Sequence, residues 1–395
     1  MACAYLVLSL LAFGHIISDH NVDRFQTFTT IFLTLCYIST QTLRYHGEQP
    51  ALIVLWTQSM ILYVLHVGST LFIQDSRGIS GAGKPISSGK VDLHHRFLSR
   101  LRLAYSIAWN PRGLNTQATA QIDGQSRCNQ DVPAAFYLRR TGKLVLYTVV
   151  YRLVLPGAFN MLVGTLRPSD LSPAKATIIR RLGSITVREC QIRTHFAVSW
   201  IVESLIFLDG ANCLLAMVFV STGIDSPGDW PPIFGRPGDI TGLRKFWSRS
   251  WHQVSTKTYR SYADWMAQKV LMLELTSSRY MTMVAFFVFI ISGCCHAVAS
   301  WYLGAGMEWL EIWWYILNFG GCFMEVMAMK AVYDNVHKRH VLGRIWVLLF
   351  FFWAVPKWKY PRLLQEAEGR QWLKQALAVY DTMNPEHPGN NGLLE

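Results

Sequence analysis

From Tyr280 to Gly304 the chain carries no Asp, Glu, Lys or Arg. A bilayer's hydrocarbon core is crossed by ~20 mostly apolar residues, so this run alone is long enough to span it. Comparable runs occur at Ala4–Ile17, Phe25–Thr40, Ala51–Ile73, Leu144–Leu166, His195–Ser221, Glu308–Val332 and Val341–Pro356. In lipid, backbone polar groups must be paired within the segment itself, which restricts such runs to helices or a closed barrel. Their length and continuous apolarity select helices. The expected fold is all-α, a polytopic helical membrane protein with about eight transmembrane helices. The first two runs are short and also suit a re-entrant pair. Ala4–Ile17 lacks a basic start and a small-residue cleavage site, so it reads as a retained helix rather than a signal peptide.

Composition agrees. Hydrophobic residues make up 51% and charged residues 16%, below the roughly 25% charged content of soluble domains. The 15 Trp, 16 Tyr and 21 Phe suit aromatic belts at the two interfaces. The formal net charge of +12 resides in loops rather than in a nucleic-acid motif. Lys and Arg number 21 in Gln74–Lys143, Thr222–Arg279 and Tyr333–His340 together, against 12 in the alternate segments, so the former are expected to face the cytosol. The eight cysteines include no Cys-x-x-Cys pair, and no metal site is expected.

The expected organisation is N-terminal transmembrane helices over 1–73, a basic Gly- and Ser-containing loop over 74–143, a catalytic transmembrane core over 144–356, and a polar C-terminal tail over 357–395. Within the core, Trp247, Trp251, Val254, Tyr262, Trp265 and Met266 fall mostly at three- and four-residue steps. Lys245, Arg249, Lys257 and Arg260 are interspersed among them. That pattern predicts a helix lying in the membrane interface over 243–273.

An ionisable residue inside an uncharged span marks a functional site by default. His296 is such a residue, with Ser292 and Ser300 one helical turn to either side and Gly293 three residues before it. A buried histidine stays neutral near pH 7 and suits a general base; it equally suits a packing residue bonded to another helix. His252, in the polar–apolar boundary sequence Trp251-His252-Gln253, suits a fixed donor to a developing oxyanion or a boundary histidine. Arg236, Arg244, Lys245 and Arg249 suit phosphate neutralisation or headgroup anchoring. Arg152, Glu203, Asp209, Glu311, Asn318 and Glu325 imply a bundle with polar pairs inside it. Cys294 and Cys295 beside His296 raise an acyl-cysteine route, which apolar surroundings disfavour.

Three blocks carry a family resemblance: Pro231-Pro232-Ile233-Phe234-Gly235-Arg236-Pro237 followed by Leu243–Gln253, then Ser292-Gly293-Cys294-Cys295-His296, and Trp109-Asn110-Pro111-Arg112-Gly113. Together they resemble the wax-synthase-like acyltransferases of the membrane-bound O-acyltransferase group, and the last block resembles fungal members that acetylate terpenoid or meroterpenoid alcohols. The resemblance implies an intramembrane reaction chamber, with His296 as catalytic base and His252 as its partner. Acyl-CoA contacts are expected at Arg236, Arg244, Lys245, Arg249 and Trp251. Departures are Ser248 and the Cys294-Cys295 pair, which replace residues often Gly and aliphatic in relatives.

The expected function is therefore O-acyl transfer, with acetyl-CoA as co-substrate and no bound cofactor, to a lipophilic natural-product alcohol. The setting would be the endoplasmic reticulum, among membrane lipids and without nucleic acid. A long-chain wax synthase is the alternative within this chemistry. A proton-coupled transporter using His296, Glu203 and Asp209 is the alternative outside it, and the internal repeat that would favour it is not visible.

Overall fold

The computed structural model describes residues 25–26, 28–34, 36–37, 50–73, 105, 107, 112, 133–332 and 336–383. Among them there is no strand. The longer helices are α1 (Pro50–Gly68), α2 (Pro133–Val149), α3 (Leu155–Leu162), α4 (Val187–Ser221), α5 (Thr256–Trp265), α6 (Ser278–Tyr302), α7 (Trp309–Val332) and α8 (Val336–Met383). Among the described residues, five segments are long and apolar enough to cross a membrane: Leu52–Ile73, Ala134–Leu162, Val187–Ser221, Ser278–Tyr302 and His340–Gly369. The chain is thus a polytopic helical membrane protein. Ala4–Ile17 lies outside the described residues, and Phe25–Thr40 is helical where it is described. α7 occupies the run expected at Glu308–Val332 but is not among the five.

Several boundaries differ from the sequence reading. The helix expected to begin at Leu144 begins at Pro133, because proline is well placed in a helix's first turn. The C-terminal segment after 357 continues α8 to Met383. Arg152 lies on the exposed face of Ala134–Leu162, whose apolar window is wholly unburied, rather than in a polar interior.

The chain divides into two compact units. One holds 130–232, 240–246 and 332–395, and so contains α2, α3, α4 and α8. α4 starts where the Thr186 hydroxyl accepts the Glu189 N–H at 3.2 Å, an N-cap that satisfies one of the helix's orphan donors. Its first turns carry a buried ionic cluster. Asp170 accepts from Arg188 at 2.7 Å and Lys175 at 3.4 Å, and Glu189 accepts from Arg181 and from the fully buried Arg193, each at 3.2 Å. Further along, Asp209 accepts from Lys143 at 2.8 Å and Tyr147 at 2.6 Å, which ties α4 to α2.

α8 contains Pro356 and Pro361. A proline has no N–H for the carbonyl four residues earlier. Pro356 therefore leaves the Phe352 carbonyl without its helical donor, and Arg193 Nη1 donates to it at 3.4 Å. Two cations on the next turn engage α4 and the turn before it. Lys357 donates to the Ala176 carbonyl at 3.3 Å, and Lys359 reaches Glu203 at 3.3 Å. Glu203 and Asp209 are thereby both ion-paired within the bundle.

The other unit holds 1–129, 233–239 and 247–331, and so contains α1, α5, α6 and nearly all of α7. α1 and α5 are joined by polar contacts. His66 Nδ1 meets the Thr258 hydroxyl at 3.2 Å, Ser69 meets Ser261 at 2.5 Å, and the Tyr262 hydroxyl donates to the Leu65 carbonyl at 2.8 Å. Ala263, Ala267, Tyr280 and Val284 pack α5 and its following turn on α6, with the Tyr280 hydroxyl donating to Asp264 at 2.7 Å. Ser277 caps α6 by accepting the Tyr280 N–H at 3.1 Å.

Breaking a buried ion pair by removing one partner leaves a charge in a poor solvent, at a cost of about 3–5 kcal/mol. Glu189→Ala is expected to destabilise the protein on that scale, because Arg193 loses its carboxylate. Arg181→Ala, which leaves the Glu189–Arg193 pair intact, should cost much less. Thermal unfolding of the detergent-solubilised protein measures both; equal losses would show that the cluster does not depend on the buried pair.

Candidate active site

The proline-rich block and the aromatic block lock together. The Gly235 N–H donates to the Ser250 carbonyl at 3.0 Å, and the Gln253 N–H donates to the Ile233 carbonyl at 3.2 Å. This clamp requires glycine at 235. A Cβ there would collide with the Arg249 carbonyl oxygen and lie 3.1 Å from the Ser250 Cα. Between the paired segments, Phe234 packs edge-on against Trp251 and His252, with centroids at 5.5 and 6.1 Å.

The continuous interfacial helix expected over 243–273 is therefore two pieces. Leu243–Lys245 runs into a wider turn at Phe246–Ser250, and helix resumes only at Thr256. Gln253 accounts for part of the break: its amide donates to the carbonyls of Trp247 at 3.2 Å and Trp251 at 2.8 Å. A side chain that satisfies these carbonyls substitutes for the next helical turn. One side of the segment packs inward, with Leu243, Phe246, Trp251, Tyr259, Ala263 and Ala267 buried, while Ser248, Arg249, Lys257 and Arg260 are exposed.

Trp247 is held by Asn318, which is fully buried on α7. The Asn318 Oδ1 accepts the indole N–H at 3.1 Å, while its Nδ2 donates to the Trp314 carbonyl at 2.8 Å. From Trp247, ring contacts lead in two directions: to Trp251 at 5.5 Å and on to His252 at 5.8 Å, and to Tyr315 at 6.2 Å. Tyr315 stacks on His296 with centroids 5.1 Å apart and planes at 29°. One aromatic frame thus holds both histidines, and they are near enough for His296 to depress the His252 pKa.

Gly293 sets the stacking distance. A Cβ at this position would lie 3.1 Å from the Ile312 Cα and 3.2 Å from the Tyr315 Cβ. Without a side chain there, the backbone of α7 approaches α6 closely. The Tyr315 hydroxyl also meets Ser292, one turn before His296. On the other side, α1 and α5 brace the neighbouring residue. Gln58 Nε2 donates to the Cys295 carbonyl at 3.2 Å, and the Tyr259 hydroxyl meets the buried Cys295 thiol. That thiol is packed among helices, as an inert structural cysteine would be.

His252 is buried in part, and its Nδ1 is enclosed and has no hydrogen-bond partner among the described residues. Burial, with His296 adding to it, pushes the ring down to about 4, so His252 is neutral at physiological pH. A neutral imidazole presents one N–H donor and one acceptor.

The expected acyl-CoA residues separate. Arg236 and Arg249 are exposed in the unit that holds the histidines; Arg244, exposed, and Lys245, half-buried, fall in the other. Trp251 is only 8% exposed and belongs to the aromatic frame. Of the Trp109–Gly113 block only Arg112 falls within the described residues. Tyr315, Gln58, Tyr259 and the anchoring role of Asn318 were not singled out from the sequence as neighbours of the histidines. Asn318 was flagged only as a polar group at membrane depth.

Gly293→Ala is expected to push α7 off α6, since the nearest atom is backbone and cannot rotate away. Overpacking of this kind costs about 1–3 kcal/mol. A thermal melt should move down accordingly, whereas Gly320→Ala, with nothing within 4 Å of its Cβ, should leave it unchanged.

Residues 230–317 match the model of the Membrane bound O-acyl transferase family. The chain is 29% identical over 202 residues to the acetyltransferase atnC of Arthrinium sp, covering 48% of this chain and 46% of the relative. It is 27% identical over 307 residues to the acetyltransferase aurG of Calcarisporium arbuscula, covering 75% and 72%. It is 29% identical over 150 residues to the acetyltransferase ple2 of Rhodocybe pseudopiperita, covering 36% and 40%. Two of these three matches thus span less than half of the relative. No solved structure matches this chain significantly. The matched segment carries His252, His296, Tyr315 and the clamp that joins the two motif blocks, and it is in that segment that the chain is similar to the Membrane bound O-acyl transferase family.

Proposed function

We propose that this protein is an O-acyltransferase that moves an acetyl group from acetyl-CoA to a hydroxyl of a hydrophobic natural product, of terpenoid or meroterpenoid type. The observation that carries the reading is the histidine pair held in one aromatic frame inside the family-matched segment. The relatives, each named as an acetyltransferase, support acetyl as the acyl group.

In this mechanism His296 accepts the proton of the acceptor hydroxyl as its oxygen attacks the thioester carbonyl carbon. The His252 N–H stabilises the oxyanion of the tetrahedral intermediate, a role for a fixed and poorly solvated donor. Collapse breaks the carbon–sulfur bond. The leaving thiolate takes the proton from His296, giving CoA and the ester and restoring the neutral base. The exposed Arg236 and Arg249 supply positive charge for the CoA phosphates in the same unit. The loop 222–279 then faces the cytosol, and the membrane is that of the endoplasmic reticulum.

His296→Ala should reduce acyl transfer by about 10²–10⁴-fold at equal protein level, as for loss of a general base. His252→Ala should also fall strongly, while His252→Asn retains activity because its amide still donates. Turnover near wild type in either alanine variant would remove that histidine from the mechanism. The discriminating assay gives microsomes equal acetyl-CoA and palmitoyl-CoA with hexadecanol or a hydroxylated terpenoid extract. Acetylated terpenoid is the expected product; hexadecyl palmitate alone would assign wax synthesis instead.

The lowered His252 pKa sets a pH expectation. The ring stays neutral until pH falls towards about 4, so it adds no inflection to the rate between pH 6 and 8. His252→Asn, which cannot titrate, should keep the wild-type profile shape in that window at a lower rate. A wild-type acid limb near pH 6.5 that vanishes in His252→Asn would show that the ring ionises there.

A cysteine placed at the exposed Ser248 should react with a membrane-impermeant thiol reagent from the cytosolic side of sealed microsomes. Labelling only after the lumen is opened would invert the topology.

A further inference from the structure

Hydroxyls in membrane helices ordinarily satisfy themselves by bonding back to the carbonyl one turn earlier. In the unit that carries the histidines, Ser59 does so to Leu55 at 2.7 Å, Thr70 to His66 at 2.9 Å and Thr282 to Ser278 at 2.9 Å. Ser292, one turn before His296, is engaged by Tyr315. Ser300, one turn after His296, is different. It is 7% exposed, its Oγ is enclosed, and it has no hydrogen-bond partner among the described residues. Thr57 on α1 is in the same condition at 6% exposure, and its neighbour Gln58 bonds the α6 turn at Cys295 that leads into His296 and Ser300.

Gly293, His296 and Ser300 lie on one stripe of α6, spaced three and four residues apart, and Gly293 fixes that stripe as the side facing α7. A buried hydroxyl left unpaired is costly, and a ligand oxygen placed against it removes that cost. We propose that Ser300 is a specificity-determining residue that hydrogen-bonds a second oxygen function of the acceptor. This inference rests on the O-acyltransferase reading and names its acceptor class. The substrate is a polycyclic alcohol with a carbonyl, ether or hydroxyl oxygen about 6 Å from the hydroxyl that His296 deprotonates, the rise of four helical residues. A simple fatty alcohol has no oxygen to offer there. Sites built to bond a polar group discriminate against analogues that lack it.

The test uses the full-length protein in microsomes with acetyl-CoA and three alcohols. These are a rigid tetracyclic hydroxyketone with its oxygens about 6 Å apart, the matching alcohol without the ketone, and hexadecanol. For the wild type, kcat/KM for the hydroxyketone should exceed that for the matching alcohol by about tenfold or more. Ser300→Ala should bring the ratio close to one while leaving kcat on the matching alcohol unchanged, a result that mere packing at Ser300 would not produce. Ser300→Cys keeps the volume but weakens the donor, and should give the same loss if alanine loosens the helix contact. Ser300→Thr should retain the preference. No preference in the wild type, a preference that survives Ser300→Ala and Ser300→Cys, or acetylation of hexadecanol with neither polycycle used would each overturn the proposal. If no alcohol elicits thiol release from acetyl-CoA, it is the acyltransferase reading that falls, and this assignment with it.

Discussion

The close approach of α7 to α6 at Gly293 governs the geometry around His296. Lipid tails give helices no hydrophobic reason to associate, so contact distance is set by side-chain size and by polar bonds between helices. Gly293 supplies the first, and the Tyr315 hydroxyl on Ser292 supplies the second. Tyr315 is then fixed against the imidazole, and Trp247 against Tyr315. Asn318, three residues beyond Tyr315 on α7, holds the Trp247 indole. The position of His252 follows through Trp251.

The polar groups elsewhere obey the same solvent constraint. Arg193 is in a bilayer-length helix, yet it is fully buried among Glu189, the Lys175 carbonyl and the carbonyl that Pro356 leaves without a donor. Asp209 and Glu203 have cations on other segments. These residues read as a possible proton relay when only the sequence is considered, since an ionisable group in a span is a functional signal. Their partners are separated from them by 66 and 156 positions, which no local pattern reveals. With the ion pairs in place, their presence is accounted for by structure.

Legibility in the sequence followed the range of the interactions. Helix and membrane character came from uncharged runs such as Tyr280–Gly304, because hydropathy is a sum over neighbours. Gly293 could be read as a close-approach site because an absent side chain is visible in the sequence, although the helix that would fill the space was not. The interfacial-helix expectation over 243–273 failed because three- and four-residue spacing of Trp and Tyr is produced equally by burial and by a lipid surface. What separates the two is the competition of Gln253 for the turn's carbonyls and the pairing of Ile233 and Gly235 with 250–253. Tyr315, Gln58 and Tyr259 carry no signature of their own; they matter only by where three helices bring them.

The clamp between 233–235 and 250–253 has a consequence for the order in which the protein forms. Closing a loop costs entropy that grows slowly with its length, and contacts between near neighbours in sequence form fastest. The two arms of the clamp are separated by 15 positions at Gly235 and Ser250, and Tyr315 is 19 positions from the ring it stacks on. Gln58, by contrast, waits 237 positions for the Cys295 carbonyl. During synthesis, α1 would leave the ribosome long before its partner exists. The histidine neighbourhood can therefore assemble as a local nucleus, and α1 docks onto it afterwards.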